Sequence, residues 1–273
     1  MIKFIADSSS DLSKSEDFTP VPLTISTNER TFVDDEKLDI KEMLDYLENY
    51  KGRSFTACPS SQSWLDSFED GDEIYVATMT SILSGTYNSA RLAKDIYLES
   101  HPNAKILLFD TLSTGGQLKM VIEKMMEWKK EGMSFAEISE KIKDYNDNIR
   151  LLFAFRSLNN FANNGRVSKL VATAVGTLGI SIFGTAKDGN IAPLSKLKGE
   201  KKVLSAFIND LEENGFEHGK VSMSHVENED LCLKLKKKIL ERFPQAVIDI
   251  YKAKGLCSYY AERKGIIVCY EKH

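Results

Sequence analysis

With 273 residues, 42% of them hydrophobic, the chain is long enough for one large domain or two smaller ones and can build a substantial core. Its net charge of −4 argues against broad binding to nucleic acid phosphates, which needs a basic surface. No apolar run approaches the ~18 residues of a membrane span, and the strand-like start Met1–Asp7 is too short to be a signal peptide. Cys58, Cys232, Cys257 and Cys269 form neither a CxxC pair nor a compact disulfide framework, so reduced thiols in a cytoplasmic protein are expected. None of the four histidines stands at ligand spacing from a cysteine, and no metal site is expected.

In chain order, Ile2–Ala6 reads as a strand, and Thr19–Ile25 and Arg30–Val33 as short strands around a loop. Ile40–Tyr50 has a helical period with Asp39 as N-cap, and Ser60–Phe68 reads as a second helix. Ile74–Thr78 is strand-like. Ser84–Leu98 follows as a helix with Tyr87, Ala90, Ala93 and Tyr97 on one face. Lys105–Phe109 is a strand running into Asp110, and Gly115–Lys130 and Phe135–Tyr145 are helices. Leu151–Phe155 is a strongly apolar strand, and the helix after it ends at Asn164-Gly165, a good C-cap. Leu178–Ala186 and Asn190–Lys196 flank Lys187-Asp188-Gly189, which predicts a hairpin because Asp-Gly suits a tight turn. Helix Lys201–Glu213, strand Lys220–Ser224, helix Asn228–Arg242, strand Ala246–Tyr251 and strand Ile266–Tyr270 complete the chain.

This alternation predicts an α/β protein: an N-terminal domain over residues 1–150, with a mostly parallel sheet flanked by helices, and a C-terminal α/β domain over 151–273. The loops beyond the strand C-termini are where such sheets place their chemistry. Three polar segments fall there: Asp7–Ser10, Thr80–Thr86 and Asp110–Gly116.

No GxGxxG, no GxxxxGK[ST] and no GxSxG is present. Among the histidines only His225, following a strand, is well placed. Ser84-Gly85-Thr86 stands between a strand and a long helix. Gly85 allows close backbone approach and the next amides open a helix, a geometry that favours an anion. The plainer reading is that Ser84 caps the helix. Asp7 and Asp110 are expected to brace loops. Arg166, in Asn164-Gly165-Arg166-Val167-Ser168, either pins its loop or touches a carboxylate.

In their order along the chain these motifs resemble the DegV family. Ile5–Leu12 is similar to that family's opening, and Thr56-Ala57-Cys58-Pro59-Ser60 to its Thr-Ser-x-Pro-Ser segment. Ser81–Ala90 matches its most recognisable motif, Asp110–Gly116 and Asn164–Ser168 its later loops, and Ser224–Asn228 a weaker one. The resemblance implies two α/β domains with a fatty acid or related lipid held in the cleft between them. It also implies a non-catalytic role as the lipid-binding subunit of a bacterial fatty acid kinase, presenting the carboxylate to a separate kinase subunit. The family's carboxylate contacts fall on Thr56 and Ser84, with Gly85 and Thr86 in the same motif and Arg166 in the loop near the site. No cofactor is implied. Two positions depart from the family pattern: Ala57 replaces the second residue of the Thr-Ser pair, and Lys254–Tyr260 stands where a His-x-Gly-Pro-Gly segment is usual. Lys254, Ser258 and Tyr259 are the candidates to replace that histidine. Without it, ligand binding is expected to vary little between about pH 6 and 7.5. The competing reading is a hydrolase or transferase acting on a small polar substrate through Ser84, which needs a base beside it.

Overall fold

The computed structural model of the chain describes residues 1–168 and 179–272. The first half opens with β1 (Ile2–Asp7), β2 (Phe18–Val21), β3 (Thr24–Ser26), β4 (Thr31–Val33), α1 (Ile40–Asn49), β5 (Phe55–Ala57) and α2 (Ser61–Phe68). It continues with β6 (Glu73–Thr78), α3 (Thr86–Ser100), β7 (Lys105–Asp110), α4 (Gly115–Lys130) and α5 (Phe135–Asp147). The second half runs through β8 (Ile149–Phe155), α6 (Asn159–Asn163), β9 (Ile180–Lys187), β10 (Asn190–Lys198) and α7 (Glu200–Glu213). It ends with β11 (Gly219–His225), α8 (Glu229–Arg242), β12 (Ala246–Lys252), α9 (Gly255–Ala261) and β13 (Ile266–Glu271).

Among the described residues the strands form three sheets. One is parallel, in the order β2-β1-β6-β7, and a small antiparallel one has the order β4-β3-β5. The third, β10-β9-β8-β13-β11-β12, is antiparallel except at the β11–β12 pair. The expected α/β class, with a parallel N-terminal sheet and a second α/β region, is the observed one.

Local chemistry explains the elements. Asp39 accepts from the Glu42 amide at the start of α1, and Ser134 and Glu137 form a reciprocal capping box at the start of α5. Asp188 and Gly189 both have positive φ, 50° and 76°, the pattern of the tight turn expected between β9 and β10. Gly165, at φ 73°, lies just beyond α6 as the C-cap reading required.

Three stretches differ from the sequence reading. Thr19–Ile25 divides into β2 and β3, in different sheets, with Pro22 between them. Strand β5 and helix α9 were not anticipated. Leu178, the expected start of the first hairpin strand, lies outside the described residues.

Helix α4 lies between the parallel and the six-stranded sheets, packing on β1 and β6 and on β8, β11 and β13. Leu118, Met120, Val121, Ile122 and Met125 are accordingly all buried. Strand alternation divides the apolar residues into separate cores. Phe4, Leu118, Leu151, Phe153 and Ile267 share the core between the sheets. Leu152, Ala154, Phe207, Leu235 and Val268 fill a second core on the other face of the six-stranded sheet. Ile5, Trp64, Val76, Ala90 and Ala93 fill a third under α2 and α3.

Candidate functional site

The core between the sheets is not closed. A cleft of about 760 Å³, open mouth included, runs into it. The N-terminal half contributes Met79, Leu83 and Leu112, and the C-terminal half Phe153, Phe155 and Leu256. Phe153, Phe155, Phe161 and Tyr260 form a ladder along the wall, each ring stacked on the next with centroids 4.5, 6.1 and 4.5 Å apart. Such a surface suits a hydrocarbon chain, whose burial yields ~0.8 kcal/mol per CH₂.

Polar groups gather where this ladder ends. Tyr260 reaches the Thr56 hydroxyl at 2.8 Å, and Asn164 Oδ1 accepts from the Thr56 amide at 3.1 Å. Burial pushes the Tyr260 phenol up, with Thr56 and Arg166 beside it pulling the other way, so it stays protonated at neutral pH. Arg166 lines the cleft and forms no ion pair with a described residue. Its backbone is fixed by a 2.8 Å bond to the Phe161 carbonyl.

Of the residues expected at the site, Arg166 lines the cleft itself, and Thr56 is joined to the lining through Tyr260. Ser84, Gly85 and Thr86 follow directly on Leu83, which lines it, but are not themselves in the lining. A Cβ on Gly85 would sit 3.2 Å from Cys58 Sγ, so this turn and the Thr56–Cys58 segment are neighbours. Helix α3 starts at Thr86, two residues later than expected, and Gly85 as N-cap offers it no side chain. Ser84 Oγ accepts from the Thr86 amide at 3.3 Å, so part of the capping reading holds. Its own hydrogen remains available for donation. The Thr86 hydroxyl is fully buried with no partner. Together with first-turn amides that lack a carbonyl one turn earlier, these groups are suited to receive an anion.

The segment 254–260 sorts its candidates. Lys254 bonds the Leu12 carbonyl and Glu36. Ser258 donates to the Ala253 carbonyl, and Tyr259 bonds Ser54 and Asn164. None of these three lines the cleft; Tyr260 does. Its signal in the sequence was only its place in the departing segment. His225 is buried, accepts from the Asn228 amide at 3.3 Å and does not line the cleft. Burial moves its imidazole down.

The acidic loops act as braces. Asp7 accepts from the Met79 amide at 2.7 Å and from Ser9 Oγ at 2.5 Å. Asp110 accepts from the amides of Ser81 and Leu112 and holds Leu112 at φ 49° on the cleft wall. Ser113 lines the cleft, whereas Ser8 lies behind it, accepting from the Leu23 amide. Among the described residues no group of three or more His, Cys, Asp or Glu side chains is arranged to hold a metal ion, and no helix is long and apolar enough to cross a membrane.

The sequence model of the DegV family, described as uncharacterised proteins, matches residues 1–272. A DegV domain-containing protein of Streptococcus pneumoniae is 41% identical over 276 residues, covering 98% of each chain. A DegV family protein from Eubacterium eligens, solved loaded with heptadecanoic acid, superposes with a TM-score of 0.98 at 46% identity over 100% of both chains. The Streptococcus pneumoniae Fatty Acid Kinase (Fak) B3 protein, loaded with linoleic acid, has a TM-score of 0.97 at 40% identity, covering 100% of this chain and 99% of that one. The chain belongs to the DegV family.

Proposed function

We propose that this protein binds a long-chain fatty acid in the cleft between its parallel and six-stranded sheets, alkyl chain along the aromatic ladder and carboxylate at the polar end. The observation that carries this is an apolar cleft lined by Arg166 and Tyr260, with Thr56 bonded to Tyr260 and the Ser84-Gly85-Thr86 turn following directly on the lining residue Leu83. A carboxylate cannot enter an apolar site unpaired, and these groups supply what it needs. The relatives solved with heptadecanoic and linoleic acid support the same ligand class.

The likeness to the Fak B3 protein supports a role as the non-catalytic subunit that presents the fatty acid to a separate kinase subunit in the cytoplasm. Two domains, 1–150 and 151–273, fit this role, with the cleft between them. The hydrolase or transferase reading through Ser84 gains nothing from the geometry, since His225 lies away from the cleft lining.

Titration with a fluorescent fatty acid tests the site. Ser84→Ala is expected to lose ~1.5–3 kcal/mol of affinity, roughly tenfold or more, in protein that remains folded. Wild-type affinity in this variant would remove Ser84 from the site.

A further inference from the structure

The opening Asp7-Ser8-Ser9-Ser10-Asp11 does more than brace loops. Asp7, Asp11 and Asp34 are all buried, with exposures of 0%, 7% and 3%. Asp34 accepts from the amides of Gly255 at 2.7 Å and Leu256 at 2.9 Å, and Asp11 from that of Lys254 at 2.8 Å. Two carboxylates thus cap helix α9, whose residues Leu256, Cys257, Tyr260 and Ala261 line the cleft. Cys257 closes the wall between cleft and acids by donating to the Ser9 carbonyl at 3.3 Å. The second oxygen of Asp11, Oδ2, is buried with only the Cys257 thiol, a weak donor, beside the carboxylate, and a proton is the species that relieves such an oxygen of its charge.

Little positive charge faces the cluster. Lys254 is shared with Glu36 and the Leu12 carbonyl. Tyr251, Cys257 and Cys269, which face Asp11 from β12, α9 and β13, are all pushed up by burial and stay neutral. Burial likewise raises Asp7 to about 6 and Asp11 to about 7, and raises Asp34.

We propose that filling the cleft is linked to proton uptake by this cluster, with Asp11 the principal acceptor, so that ligand binding strengthens as the pH falls through neutrality. This rests on the lipid-binding reading. An alkyl chain replaces water along the wall formed by Leu256 and Cys257. That change disfavours ionised Asp11. Each unit by which binding raises its pKa strengthens affinity up to ~tenfold between about pH 8 and 6.

Titration calorimetry with dodecanoate below its aggregation limit, in phosphate and in Tris at neutral pH, tests the linkage. The expected result is a buffer-dependent heat that reports proton uptake in the wild type and vanishes in Asp11→Asn, which still binds. Equal heats in the two buffers, or uptake unchanged in Asp11→Asn, would overturn the linkage while leaving lipid binding standing. Absence of any binding would overturn both. If Asp11→Asn does not fold, the carboxyl carbon-13 resonance of Asp11 in the wild type decides. It should titrate at higher pH in loaded than in free protein, and identical midpoints contradict the proposal.

Discussion

The two faces of strand β8 carry equally apolar residues and meet opposite fates. Leu152 and Ala154 point into a closed core against Phe183, Phe207 and Val268, where helices α7 and α8 cover the sheet. Leu151, Phe153 and Phe155 point toward α4 and line the cleft. All five are at most 5% exposed, so burial alone does not distinguish them. The difference lies in what covers each face. One is sealed by side chains of the same half. The other is completed by loops from the N-terminal half, with room left between.

Substituting adjacent residues should break this comparison open. Leu152→Ala is expected to cost ~2–5 kcal/mol of stability by leaving a cavity in a filled core, with fatty acid affinity unchanged in protein that remains folded. Phe153→Ala should cost less stability, because its ring already borders open space, and should weaken binding. Denaturant unfolding together with ligand titration checks both. Equal stability losses with no change in binding would mean that the two faces do not differ in kind.

The next largest effect concerns the acids behind the cleft wall. Asp7 and Asp11 are raised by burial to about 6 and about 7, and Asp34 is raised too. Their folded state holds protons more tightly than the unfolded chain. This contribution to stability is fully present below about pH 4 and is lost as the pH rises through about 6 to 7. Thermal unfolding should therefore shift to lower temperature between about pH 5 and 8, and Asp11→Asn should flatten that slope. A slope unchanged by the substitution would place the titrating group elsewhere. The proposed linkage makes a different prediction from the histidine argument, which expects binding to vary little between about pH 6 and 7.5.

The smallest effect is expected at the polar end of the ladder. Tyr260→Phe keeps the ring stack and removes the bond to Thr56, and should cost ~0.5–1.5 kcal/mol in stability or affinity. A larger loss of affinity than of stability would show that the phenol touches the ligand.

Much of this was legible locally. The Asp39 cap, the Asp188-Gly189 turn and the Ala90–Ala93–Tyr97 face depend on neighbours within a few residues and formed as read, while Thr86 rather than Tyr87 completes the buried face of α3. Helix α9 was not legible. Nearly all its residues are buried, so no polar face alternates with an apolar one, and the side chain of its N-cap Lys254 makes no capping bond to it. Its capping comes from Asp34 and Asp11, more than two hundred residues earlier. Tyr260 shares that obscurity, because a contact with Thr56 across 204 positions leaves no local pattern. The site loops were found through their order as motifs, while the cleft that gives them meaning arises only when β8 and α4 meet.

Native mass spectrometry of the purified protein tests the central claim most directly. The account predicts a species heavier by the mass of one long-chain fatty acid, which disappears on delipidation and returns when fatty acid is added. Protein that purifies empty and takes up no fatty acid on addition would contradict it.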